Sequence, residues 1–146
     1  MGLFSFGDKS KSADAPVATS TKKRILLCED DKFFSQALTL ILGSAGYEII
    51  AAPDGQQGLD LLKQQGNFQM ILCDIMMPVL DGFGVLKALK ADPQYSGFTG
   101  IPFIFLTGVS DFSSMDRATE LGAKDYFIKA NTGLPKIVDM VKKYID

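Results

Sequence analysis

Five short apolar runs separated by helix-period segments constrain this chain more than any other feature. The runs are Ile25–Cys28, Tyr47–Ala52, Met70–Cys73, Ile101–Leu106 and Tyr126–Ile128. They are almost continuously apolar instead of alternating, which is the pattern of strands covered on both faces. Between them apolar residues recur at helical spacing: Phe34, Ala37, Leu38, Ile41 and Ala45 mark the first segment, Leu59 and Leu62 the second. Val85, Leu86 and Leu89 mark the third, and Met115, Ala118 and Leu121 the fourth. The fifth is the most regular, with Leu134, Ile137, Val138, Val141 and Ile145 forming one apolar stripe. Asp54-Gly55 and Asp81-Gly82 read as starts of the second and third helices. Gly43 and Gly46 read as the end of the first helix, and Gly122 as the end of the fourth.

Strands that alternate with helices in this way give an α/β chain of the (βα)5 kind. Right-handed crossovers then place helices on both faces of a parallel five-stranded sheet, a three-layer sandwich. The common layout at this size is flavodoxin-like, with strand order 2-1-3-4-5 and a site outside the carboxyl ends of strands one and three.

The 146 residues suffice for one domain, and a chain of this length buries enough surface to fold without disulfides or a structural metal. Gly7 to Thr21 is rich in Ser, Ala, Asp, Lys and Thr, includes Pro16 and shows no apolar period. Residues 1–23 therefore read as a flexible N-terminal tail and 24–146 as the folded domain. Within the tail, Leu3-Phe4-Ser5-Phe6 reads either as a short docking motif or as a few apolar residues in a disordered end. The last helical segment runs to Asp146, and no second domain is expected after it.

Composition closes several classes of function. A net charge of −2 supplies no basic excess for nucleic acid. Up to Arg24 the chain carries five basic and two acidic residues, and the remainder ten and fifteen, so the folded part is acidic. There is no histidine, which excludes Ser-His-Asp and Cys-His nucleophiles, phosphohistidine and His-ligated zinc. Cys28 and Cys73 each lie inside an apolar run and read as buried, reduced thiols. No apolar run approaches the roughly 18–20 residues of a membrane span. The first residues lack a signal-peptide pattern, and Phe6 breaks the myristoylation pattern. A cytoplasmic location is expected.

Polar residues stand where the strands end. Glu29, Asp30 and Asp31 follow the first run, Asp74 the third, Thr107 the fourth and Lys129 the fifth. Carboxylates gathered in one crevice repel, by about 4 kcal/mol for two unit charges 4 Å apart at an effective dielectric of 20. Either their pKa values rise or a cation joins them. Mg2+ suits such a set, because it takes one or two carboxylates, keeps waters and accepts phosphate oxygens. Lys129 and Thr107 add donors for an anion held beside the metal. Asp74, alone at the end of the central strand, is the carboxylate placed to act as nucleophile.

These residues resemble the receiver domain of two-component response regulators from Lys23 to Asp146. The matching segments are Ile25-Leu26-Leu27-Cys28-Glu29-Asp30-Asp31, Asp74-Ile75-Met76-Met77-Pro78-Val79-Leu80-Asp81-Gly82, Leu106-Thr107-Gly108 and Asp125-Tyr126-Phe127-Ile128-Lys129. The resemblance implies that Asp74 accepts a phosphoryl group from the phosphohistidine of a sensor histidine kinase or phosphotransfer protein. It implies Mg2+ as cofactor, held by Glu29, Asp30, Asp74 and the main-chain carbonyl of Met76. Lys129 and Thr107 would contact the phosphoryl oxygens. Thr107 and Tyr126 would form the switch, rearranging the face made by the fourth helix, fifth strand and fifth helix, where a downstream protein docks. The expected protein is a stand-alone receiver of the chemotaxis, motility or phosphorelay kind, a monomer or a phosphorylation-dependent dimer. It is not an enzyme beyond its own phosphotransfer and dephosphorylation.

Two other classes fit less well. An aspartyl-phosphate phosphatase of the haloacid-dehalogenase type needs an acid two residues past its nucleophile, where this chain has Met76. A flavodoxin-like FMN carrier needs a phosphate loop after the first strand, where Glu29-Asp30-Asp31 would repel the phosphate. The chain also departs from the receiver pattern. Ala130 replaces the usual proline after the lysine, and the expectation is that the Lys129–Ala130 bond stays cis despite a cost of about 3–4 kcal/mol. Gly108 opens space beside the site, and the stretch from Gln94 to Gly100 lengthens the connection before the fourth strand. Met76 and Val109 offer no side chain to orient an attacking water, so slow self-dephosphorylation is expected.

Overall fold

The computed structural model describes residues 21–146. The tail assigned to 1–23, with its Leu3-Phe4-Ser5-Phe6 cluster, lies almost wholly outside them; residues 21–23 lead into the first strand without regular structure. Five strands alternate with five α-helices: β1 (Arg24–Cys28), α1 (Lys32–Ser44), β2 (Glu48–Ala52), α2 (Gly55–Gln65), β3 (Met70–Cys73), α3 (Gly82–Ala91), β4 (Phe103–Thr107), α4 (Phe112–Glu120), β5 (Asp125–Ile128) and α5 (Leu134–Ile145). The strands form one parallel sheet of order β2-β1-β3-β4-β5, as expected from the sequence.

Side chains alternate across the sheet and build two cores. Leu26, Cys28, Ile71, Cys73, Phe103 and Phe105 face α2, α3 and α4. Ile25, Leu27, Met70, Leu72, Ile104 and Leu106 face α1 and α5. Each fully buried aliphatic side chain contributes about 1.5–3 kcal/mol relative to exposure, so the three central strands anchor the fold. The edge strands differ from the sequence expectation. β2 buries only Ala52 and β5 buries none of its residues, because a flanking helix layer covers less of a sheet at its margins.

Aspartates start four of the helices. Asp31 Oδ1 accepts from the amides of Phe33 and Phe34, Asp54 from Gln57, Asp81 from Gly84 and Asp111 from Ser114. Such caps contribute about 1 kcal/mol each. They also fix where each strand-to-helix turn runs, and so the rim of the sheet. At the other end of α1 the helix passes through Gly43 to Ser44, and Gly46, at φ +104°, takes the left-handed stop that the sequence assigns to both glycines. The stretch before β4 is a 3-10 helix, Pro93–Phe98, held by the buried ring of Tyr95.

α4 is the least anchored helix. Of the Met115, Ala118 and Leu121 stripe read from the sequence, only Ala118 is buried; Leu121 packs partly against the core, and Met115 stays half-exposed.

Candidate functional site

The register of the sheet brings the strand ends together. Cys28 pairs with Cys73 and Thr107 with Ile128, so Glu29, Asp74, Thr107 and Lys129 emerge on one rim. One carboxylate oxygen from each of Glu29, Asp30 and Asp74 lies within 4.8 Å of the others. Glu29 and Asp74 are buried and Asp30 is exposed. Asp31, the third acid of the triplet, is occupied in capping α1.

Lys129 Nζ sits between the two buried acids, 2.8 Å from Glu29 Oε1 and 2.9 Å from Asp74 Oδ2. Backbone amides hold the other oxygens. Asp31 N donates to Glu29 Oε2 at 3.0 Å, and Ile75 N to Asp74 Oδ1 at 2.6 Å. Burial pushes the Glu29 carboxyl above its ordinary range, against the opposing pull of the Lys129 hydrogen bond. Burial pulls Lys129 down, but its hydrogen bonds to Glu29 and Asp74 and the charges of both acids outweigh that and hold it raised. The ammonium also lies 4.5 Å from the centroid of the Phe34 ring, which backs it from α1.

With three carboxylates and one ammonium, the cluster carries a formal charge near −2. A divalent cation would balance that charge, and the donor set, all hard oxygen with one exposed member, is of the kind Mg2+ takes while keeping several waters. The residues therefore fit the metal expected from the sequence.

An open cleft of about 560 Å3 adjoins the cluster, lined by Asp74, Met76, Thr107, Gly108, Val109 and Lys129 among others. Thr107 is fully buried, and its Oγ accepts from Val109 N at 3.3 Å. The Tyr126 hydroxyl donates to the Val109 carbonyl at 2.6 Å. The backbone of one residue, Val109, thus links the two residues assigned to the switch through its amide and its carbonyl, and the Thr107 hydroxyl proton stays available to an anion in the cleft. Burial, then the charges of Asp111 and Asp74, raise the Tyr126 phenol, which keeps it a donor at neutral pH.

Glu29, Asp30, Asp74, Thr107 and Lys129 lie at this rim, Tyr126 reaches it through its hydrogen bond to Val109, and Met76, expected to offer its main-chain carbonyl, puts its exposed side chain on the wall of the cleft. One expectation is corrected. The Lys129–Ala130 bond is trans, since no cis peptide occurs among the described residues. Without proline the trans form is favoured by about 3–4 kcal/mol, and Lys129–Asn131 forms a short 3-10 turn instead. Phe34 and the Val109 backbone were missed. Phe34 looks like any core residue of an amphipathic helix, and a backbone contact leaves no residue-type signal.

Comparison with known proteins identifies the family and the fold. The family model described as response regulator receiver domain matches residues 25–142. Among curated proteins, the probable transcriptional regulator ycf27 of Porphyridium aerugineum is 35% identical over 108 residues, covering 74% of this chain and 42% of that protein. The chemotaxis protein CheV3 of Helicobacter pylori is 31% identical over 153 residues, covering 95% of this chain and 48% of that protein. The chain thus spans less than half the length of these curated relatives. Among solved structures, chemotaxis protein CheY4 of Vibrio cholerae superposes with a TM-score of 0.75 at 25% identity, covering 86% of this chain and all of that one. A response regulator from Chloroflexus aurantiacus superposes at 0.74 with 27% identity, covering 85% of this chain and 98% of that one.

Proposed function

Because this chain belongs to the response regulator receiver domain family, we propose that Asp74 is its phosphoacceptor and that phosphorylation changes its contacts with other proteins. A carboxylate oxygen of Asp74 forms the bond to phosphorus as the nitrogen–phosphorus bond of a donor phosphohistidine breaks, the electron pair staying on the imidazole. These 146 residues contain no histidine, so the donor histidine lies outside them, on a sensor histidine kinase or phosphotransfer protein. The observation that carries this reading is the placement of Asp74: a buried carboxylate at the end of the central strand, paired with Lys129 and open to the cleft.

Lys129 holds Asp74 in place beforehand and can follow the charge onto the phosphoryl oxygens. Thr107 supplies a hydroxyl donor from the opposite wall. Glu29, Asp30, Asp74 and the Met76 main-chain carbonyl would hold Mg2+, which when bound shields the repulsion between the incoming phosphoryl group and the acids. A phosphoryl group adds roughly −1.5 to −2 charge. That charge draws the Thr107 hydroxyl, and the Val109 backbone transmits the shift to Tyr126 and to the α4–β5–α5 face. The downstream protein target docks there, or a second copy in a phosphorylation-dependent dimer.

The test is incubation with acetyl phosphate and Mg2+, read by intact mass. The reading expects a gain of one phosphoryl group that disappears in Asp74→Ala and with EDTA. An equal gain in Asp74→Ala would move the acceptor elsewhere.

A further inference from the structure

α3 and α4 share the core that holds Ala118, and two long cationic side chains also reach between them. The Arg117 guanidinium of α4 lies 4.3 Å from the centroid of the Phe83 ring on α3. At the far end, Lys90 of α3 lies against Gly122, the residue in the left-handed conformation just past α4. α4 itself buries only Ala118. Helices with few buried apolar contacts are those that open or shift at low cost, so the Arg117 stack adds a contact where α4 has few.

Phe83 also begins a buried row of rings that reaches Tyr126. Its ring meets Phe105 at 5.4 Å, and Phe105 meets Tyr126 at 5.9 Å. Phe83 follows Gly82, whose backbone presses against the Asp74 carbonyl so closely that a Cβ there would fall 2.2 Å from it. The residue under Arg117 is therefore locked to the phosphoacceptor strand, while the helix bearing Arg117 is not.

We propose that Arg117 is a positioning residue for the phosphorylation reaction: by stacking on Phe83 it holds α4 in the arrangement of the unmodified protein and opposes the one favoured by an anion at Asp74. The inference rests on the phosphoacceptor reading above. Releasing the stack shifts the balance toward the anion-bound arrangement, and a ligand selecting that arrangement binds more tightly in proportion. A cation–π contact at an exposed site corresponds to about a two- to five-fold change. The sign is diagnostic. Removing a cation from a protein that binds an anion weakens binding by Coulomb's law, so tighter binding reports release of α4 and not charge.

The experiment titrates the full chain with beryllofluoride and Mg2+ by calorimetry, for wild type, Arg117→Ala, Arg117→Lys, Phe83→Leu and the double variant Arg117→Ala/Phe83→Leu. Tighter binding by about two- to five-fold in Arg117→Ala is expected, with partial restoration in Arg117→Lys and no further gain in the double variant over the single ones. Unchanged or weaker binding in Arg117→Ala overturns the proposal. A second measurement needs no ligand: amide hydrogen exchange of Phe112–Glu120 should quicken in Arg117→Ala, and unchanged exchange overturns the proposal as well. Failure of wild type to bind beryllofluoride sinks the phosphoacceptor reading, and with it the role assigned to Arg117, whereas a binding wild type with an indifferent variant sinks only the latter.

Discussion

Lys129 and Asp74, 55 positions apart in the chain, meet at 2.9 Å between the ammonium and a carboxylate oxygen. The same ammonium holds Glu29, so one cation keeps two buried acids beside each other. Lys129→Met leaves both without that partner. It should lower stability by about 1–3 kcal/mol, the usual penalty for a buried group left unpaired. It should also slow phosphorylation by about 100-fold or more, as losing one donor at a developing charge does. Urea unfolding and acetyl phosphate labelling measure the two effects; labelling at the wild-type rate would separate Lys129 from the chemistry.

Glu29 sets a pH dependence. Burial raises its carboxyl above the ordinary 4.5, so between that value and its folded-state pKa the folded protein binds more protons than the unfolded chain. Stability of the metal-free protein relative to Glu29→Gln therefore falls as pH rises through that window and levels off above it. Urea midpoints for both proteins at stepped pH, in EDTA, check this. A difference that does not change with pH contradicts it.

Gly82 is a packing constraint at the phosphoacceptor. A Cβ at this position would fall 2.2 Å from the Asp74 carbonyl and 2.9 Å from Ile75 Cα, both backbone atoms that cannot rotate away. Gly82→Ala should cost about 1–3 kcal/mol, as overpacking does. It should also lower the rate of acetyl phosphate labelling by displacing Asp74. Wild-type stability together with wild-type labelling would show that α3 simply moves aside.

Met76 lines the cleft with an exposed apolar side chain, and the half-buried Val109 also lines it. Neither can orient a water toward the phosphorus. The phosphorylated protein should hold its label well beyond seconds, and Met76→Asn should shorten the lifetime by up to about 100-fold, the low end for one positioned polar group. Decay of the label after donor removal, followed by intact mass, gives both values. A wild-type lifetime of seconds contradicts the reading.

The sequence showed the site more clearly than it showed the elements that move. Glu29, Asp30, Asp74, Thr107 and Lys129 were legible because each polar residue interrupts an apolar run, and a parallel sheet brings such interruptions to one rim. The Asp54 and Asp81 caps were legible for a similar local reason. Met115 was misread, because helical period gives the face a helix turns inward but not how deeply it sinks. The edge strands were overestimated, because Tyr47–Ala52 and Tyr126–Ile128 have the same apolar character as central strands. The Arg117–Phe83 stack and the Val109 backbone contacts to Thr107 and Tyr126 depend on tertiary placement that no spacing encodes. The Lys129–Ala130 bond took the conformation that intrinsic peptide energetics favour instead of the one that the resemblance implied.

Asp74 is proposed to carry the transferable phosphoryl group. Borohydride reduces an acyl phosphate on aspartate to homoserine and leaves a phosphorylated serine or threonine untouched. Peptide mapping of protein treated with acetyl phosphate, Mg2+ and then borohydride should find homoserine at position 74 and nowhere else. Homoserine at Asp30 or another acid, or a label that survives borohydride on a hydroxyl residue, would contradict the account.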